Sequence, residues 1–70
     1  MIEIDSRGSK CPQPIIDLAQ GLLRNPAEVE FRLLSDDVAT WSDLTAWSRM
    51  TGHQVTASTP ATFLIRRVRN

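Results

Sequence analysis

Seventy residues set the scale of one small domain, residues 1–70, and a chain this short buries only about 60% of the surface its unfolded form exposes. Eight Lys and Arg against eight Asp and Glu leave no net charge at pH 7, so no overall field draws the chain to nucleic acid, an acidic substrate or a membrane. One cysteine and one histidine exclude an intramolecular disulfide and a two-cysteine redox module, and no carboxylates stand at spacings that would complete a zinc site.

The chain opens on MIEIDS, which alternates Ile2 and Ile4 with Glu3 and Asp5 and reads as a half-buried strand. Met1 leads into it without a basic stretch and apolar core, and no apolar run approaches the ~20 residues a membrane span needs, so a cytoplasmic protein is expected. After RGSK the period changes. From Pro12, Ile15, Leu18, Ala19 and Leu22 recur at helical spacing until Asn25-Pro26 ends the run. AEVEFRLL returns to alternation, with Val29, Phe31 and Leu33 expected inward and Glu30 and Arg32 outward.

A second helix is expected within SDDVATWSDLTAWSRMTGH. Asp36, Asp37 or Thr40 would cap it, Asp43 would follow as a capping-box partner, and Gly52 would stop it. Its apolar stripe is weak: Leu44 is the centre, with Trp41 and Trp47 about 60° to either side. Two short strands, HQVTAS and TFLIRRV, separated by TP, complete a β-α-β-α-β-β order. Two helices cannot cover both sides of four strands, so both are expected on one face of the sheet. Glu3, Glu30, Arg32 and some of Arg66, Arg67 and Arg69 would line the open face as cross-strand pairs.

The chemistry concentrates at RGSKCPQPII. A free cysteine is most often a small buried hydrophobe, but Cys11 follows a polar loop and precedes a proline, which pushes it out of the helical region and toward solvent. The unpaired N–H groups and positive dipole end of a first helical turn favour an anion, so Gln13, Ile15 and Ile16 are expected donors to a thiolate, with Lys10 and Arg7 as nearby cations. The fixed φ of Pro12 and Pro14 suits the first turn and makes the sulfur's seat rigid.

At CPQP the sequence resembles the TusA family of small sulfur-carrier proteins, also called SirA-like, whose signature is CPxP at the start of the first helix. DSRGSKCPQP is similar to that family's D-x-x-G-x-x-C-P-x-P, SDDVATWSDLTAW to its second segment, and GHQV and FLIRR to its closing strands. The resemblance implies a two-layer α/β sandwich of the α+β class, with a mixed four-stranded sheet and no cofactor. It implies that Cys11 accepts a sulfane sulfur as a persulfide and passes it to a partner's cysteine. Pro12 and Pro14 would then shape the helix start, Asp5 and Gly8 the preceding loop, and Lys10 would stand where a basic residue is common. The implied partners are a donor protein, cysteine desulfurase or rhodanese-like, and an acceptor protein; oligomeric state is open, with a monomer as the default expectation. The chain departs from the pattern at Ser9, Asp17, Gln20, Val38 and Ser48, where many members have leucine, basic residues, proline and a second cysteine.

Other residues carry weaker signals. His53, after Gly52, reads as a polar residue at a helix-to-strand junction, and Trp47 as core. Trp41, flanked by Thr40 and Ser42, divides evenly between packing and partner contact. The competing functional class is a small regulatory or interaction module in which Cys11 is structural. A thiol redox sensor ranks below it for want of a resolving cysteine, and direct nucleic-acid binding ranks last.

Overall fold

The computed structural model describes residues 1–59 and 61–68, so Pro60 of the expected TP turn and Arg69 of the expected open face lie outside the described residues. The elements are β1 (Ile2–Asp5), α1 (Gln13–Arg24), β2 (Glu30–Leu34), α2 (Thr40–Thr51), β3 (Gln54–Thr59) and β4 (Thr62–Arg66). They follow the order read from hydrophobic periodicity. The strands form one sheet in the order β1-β2-β4-β3, with β1 parallel to β2 and the other two pairs antiparallel. This is the mixed four-stranded sheet of an α+β fold.

Period-two alternation decides which side of the sheet is dry. Phe31 and Leu33 of β2 lie in register between Ile2 and Ile4 of β1 and Ile65 and Phe63 of β4. Leu18 and Leu22 of α1 and Leu44 of α2 close over them in one core, with Ile2, Ile4, Ile15, Trp47 and Val55 packed at its margin. Both helices thus share one face. On the other face Glu3 lies opposite Arg32 and pairs with it at 3.2 Å, and Glu30 lies opposite Arg66. Such half-exposed pairs contribute little to stability and serve mainly to keep the open face wet.

One expectation is corrected here. Val29 is exposed, because β2 begins one residue later, at Glu30, and burial begins only at Phe31. Of the arginines offered for the open face, Arg66 lies there and Arg67 does not, because β4 ends at Arg66 and the alternation no longer fixes the next side chain. The Arg67 guanidinium lies 5.4 Å from the centre of the Phe31 ring and donates to the carbonyls of Leu22 and Pro26, each at 2.6 Å. Arg67 therefore covers the Leu22 carbonyl in the last turn of α1 and bonds the Pro26 carbonyl just beyond the helix. At the end of α2, Gly52 takes the left-handed conformation at φ +82° and donates its N–H to the Ser48 carbonyl at 2.8 Å, as a helix-stopping glycine does.

Because β1 and β2 run parallel and each hands over to a returning helix, loops 6–12 and 35–39 come together at the carboxyl ends of these strands. Side-by-side parallel strands commonly place their functional loops there.

Arg67→Ala is expected to lower the unfolding free energy in urea by about 1–2 kcal/mol, through the lost carbonyl bonds and stem packing. An unchanged urea midpoint would show that the cap contributes nothing.

Candidate functional site

The first loop is pinned at its root. Ser6 is 2% exposed, its N–H donates to the Leu34 carbonyl at 2.7 Å, and its hydroxyl donates to Asp17 of α1. The turn then passes through Gly8 at φ +86°, a conformation that favours glycine, although space for a side chain is open. Arg7 reaches back to Asp5 with two parallel contacts, Nε to Oδ1 at 3.0 Å and Nη2 to Oδ2 at 2.8 Å. The backbone N–H of Arg7 donates to the same carboxylate at 3.1 Å.

The second loop holds the first by its aspartates. Gly8 N–H donates to Asp36 Oδ1 at 3.0 Å, and Cys11 N–H donates to Asp37 Oδ2 at 2.9 Å. The other oxygen of Asp37 accepts the N–H of Ala39 at 2.8 Å. The expectation that Asp36, Asp37 or Thr40 caps α2 through its side chain is corrected: Ala39 is the cap residue and no side-chain cap bond forms. Two carboxylates read as local caps instead tie together segments 26 and 28 residues apart.

Cys11 is half-buried between these loops, and its sulfur lies 3.6 Å from Thr40 Oγ1 in the first turn of α2. Thr40 is fully buried, and its hydroxyl bonds that of Ser35, 1% exposed, at 2.7 Å. The expected donors from α1 are otherwise engaged. Gln13 N–H goes to the Lys10 carbonyl, and Ile15 and Ile16 N–H go to that of Pro12. The sulfur thus faces the side chains of α2 and not the open end of α1. Pro12, exposed, is the cap residue of α1, and Pro14 is buried in its first turn.

The electrostatics also differ from the sequence reading, which counted Lys10 and Arg7 as cations that lower the thiol pKa. Burial pushes the Cys11 pKa up; the Thr40 hydroxyl opposes this, while the carboxylates of Asp43 and Asp37 push it up further. Arg7 is committed to Asp5, and the Lys10 charge acts on Asp37, whose pKa is held down chiefly by the Ala39 and Cys11 N–H groups. At rest the sulfur is a neutral, partly sheltered thiol.

Trp41 packs in part: its ring stacks on Phe63 with centroids 6.0 Å apart, and the residue is 42% exposed. Val38, in the loop beside Asp37, is fully exposed. His53 stays at its junction, with its Nδ1 accepting the Val68 N–H at 3.1 Å and its ring 5.4 Å from that of Trp47. Asp17, missed as a supporting residue, accepts from Ser6 and from the Gln13 amide, 2.7 Å away. The i, i+4 spacing of Gln13 and Asp17 was the signal for half of that arrangement. At the far end of the helices, a groove of about 580 Å³ lies between Leu22, Leu23, Pro26, Trp47, His53 and Val68. Among the described residues no helix is long and apolar enough to cross a membrane, and no three of His, Cys, Asp and Glu form a metal-binding group.

Comparison with known proteins adds the chemistry that geometry alone leaves open. The family described as Sulfurtransferase TusA matches residues 2–67 of the chain. A protein of Archaeoglobus fulgidus named "Putative sulfur carrier protein" is 29% identical over 55 residues, which cover 79% of this chain and 75% of the relative.

The loop anchors have a defined pH dependence. Arg7 holds the Asp5 carboxyl at about 2, against an ordinary value of 3.8, and Asp37 is also held down. A depressed folded-state pKa gives stability that is present above the unfolded value and lost as pH falls through the folded one, so both anchors are complete at neutral pH; the Asp5 anchor weakens between 3.8 and about 2, and the Asp37 anchor gives way below the ordinary 3.8. Carboxyl titration by NMR is expected to find Asp5 at about 2; a midpoint at 3.8 would mean that the pair with Arg7 does not form. Asp43→Asn is expected to lower the Cys11 pKa, read from the pH dependence of alkylation by iodoacetamide. An unchanged or higher value would remove Asp43 from the thiol's surroundings.

Proposed function

Because this chain belongs to the TusA family of sulfur carriers, we propose that Cys11 accepts a sulfane sulfur as a persulfide and relays it to an acceptor cysteine of a partner protein. The observation that carries this reading is the position of the chain's single thiol, half-exposed in the CPQP segment where the two loops meet.

In loading, the Cys11 thiolate attacks the outer sulfur of a donor cysteine persulfide. A new S–S bond forms at Cys11 Sγ, the donor's S–S bond breaks, and the donor cysteine leaves as a thiolate. In delivery, the acceptor's thiolate attacks that same outer sulfur and Cys11 Sγ becomes the leaving thiolate. Protons exchange with solvent, the sulfane sulfur changes hands, and no external oxidant or reductant is needed. The donor belongs to the cysteine desulfurase or rhodanese-like classes, and the cytoplasm, where thiols stay reduced, suits the chemistry.

No deep pocket at the sulfur is required, since the second reactant is another protein's cysteine. Asp5 with Arg7, and Gly8 with its left-handed backbone, shape the approach loop; Pro12 and Pro14 fix the start of α1. Lys10 and the exposed edge of Trp41 provide partner contacts beside the thiol. The elevated thiol pKa suits a carrier that is quiet until it docks. The exposed Trp41 and Val38 also support the competing reading of an interaction module in which Cys11 is structural.

The test is intact mass of the reduced protein after incubation with a cysteine desulfurase and cysteine, and separately with a rhodanese and thiosulfate. The expected result is a gain of one sulfur, removed by dithiothreitol and absent in Cys11→Ser. Failure to gain sulfur from either donor would overturn the carrier reading in favour of the interaction module.

A further inference from the structure

Resting on that carrier reading, we infer that Thr40 is a catalytic residue that donates a hydrogen bond to ionised Cys11 Sγ, and that Ser35 is the positioning residue that turns the Thr40 proton toward the sulfur.

The three atoms form a short line. Ser35 Oγ lies 2.7 Å from Thr40 Oγ1, which lies 3.6 Å from Cys11 Sγ. Both hydroxyl residues are buried, and the side-chain contacts of the Thr40 hydroxyl among the described residues are with Ser35 Oγ and Cys11 Sγ. A threonine hydroxyl has one proton to give and two lone pairs to receive, whereas a thiolate only accepts. When the thiol is neutral, the line can run in either direction. Once the sulfur ionises, only one arrangement satisfies it: Thr40 donates to Sγ, and Ser35 donates to Thr40. Ionisation thereby fixes both hydroxyls in one direction, which the neutral thiol leaves open.

This arrangement matters at both ends of the relay, because Sγ carries developing charge twice. It is the nucleophile during loading and the leaving group during delivery. In the persulfide between those steps the anionic charge sits on the outer sulfur, one S–S bond farther from Thr40. The hydroxyl thus favours the unloaded thiolate over the loaded state and promotes release of the cargo. It also opposes the influence of Asp37 and Asp43, which disfavour the same charge. A hydrogen bond aimed at the atom where charge develops, from a donor already in place, is a standard source of rate.

The experiment measures the sulfur's ionisation on the protein alone, by thiolate ultraviolet absorbance and by iodoacetamide alkylation against pH. Thr40→Val, equal in shape and lacking the hydroxyl, is expected to move the thiolate midpoint up by about one pH unit. It should also slow delivery of sulfur to a small-molecule thiol by about ten-fold. Thr40→Ser is expected to restore both. Ser35→Ala is expected to move the midpoint the same way by a smaller amount, and to add little in the Thr40→Val background, since the two residues act in series. A Thr40→Val midpoint equal to wild type, with an unchanged circular dichroism spectrum, would overturn the inference. Should Thr40→Val not fold, Ser35→Ala alone decides: an unmoved midpoint overturns it and an upward one supports it. Because ionisation is read without a sulfur donor, a protein that titrates as expected but never gains sulfur would refute the carrier reading while leaving the hydroxyl line intact.

Discussion

The arrangement around the thiol depends on one carboxylate. Asp37 accepts the N–H of Cys11 with one oxygen and that of Ala39 with the other, so a single side chain fixes the loop carrying the sulfur to the loop that starts α2. The loop from Arg7 to Lys10 is held by polar contacts, since Arg7, Gly8 and Lys10 are exposed and add nothing to the core. Hydrogen bonds to an ionised acceptor are about twice as strong as neutral ones. Asp37, aided by Asp36 on Gly8, thereby sets the distance between Cys11 Sγ and Thr40. The sheet supplies the frame, because parallel β1 and β2 deliver both loops to the same edge.

The same solution creates a tension. Carboxylates that hold the loop in place also repel negative charge on the sulfur a few atoms away, and burial adds to the effect. Position is therefore obtained at the expense of resting reactivity. A protonated thiol reacts slowly with disulfides and peroxides met by chance, so the same carboxylates that place the sulfur also shield it from side reactions. The one contact that opposes the repulsion is a neutral hydroxyl, which responds to charge when it forms and contributes no charge of its own.

Periodicity was enough to read the fold, because half-burial writes itself into alternation and helical spacing. Ile2, Ile4, Phe31 and Leu33 could be placed on one face without any structure, and Gly52 marked a helix end. What stayed hidden lies where no period operates. Asp36 and Asp37 bond to residues more than two dozen positions away, and a carboxylate three residues before a helix looks like a local cap from sequence alone. Arg67 escaped for a related reason: beyond the end of a strand, the two-residue rule no longer says which way a side chain turns. The half-buried place of Cys11 between two loops was foreshadowed by its neighbours, but its contact with Thr40, and through it with Ser35, was not, since a buried hydroxyl against a sulfur has no signature separate from an ordinary helix start.

The places where this chain departs from the TusA pattern are structural in consequence. Asp17, at a position where the family often carries a basic residue, receives the buried Ser6 hydroxyl and the Gln13 amide. A lysine there would present only donors and leave the Ser6 proton without its acceptor. Ser48, where many members have a second cysteine, donates its hydroxyl to the His53 carbonyl and fastens α2 to β3. A thiol, the weaker donor, would loosen that junction. In both cases the side chain holds the protein's own segments together, and Cys11 is left as the single thiol of the chain.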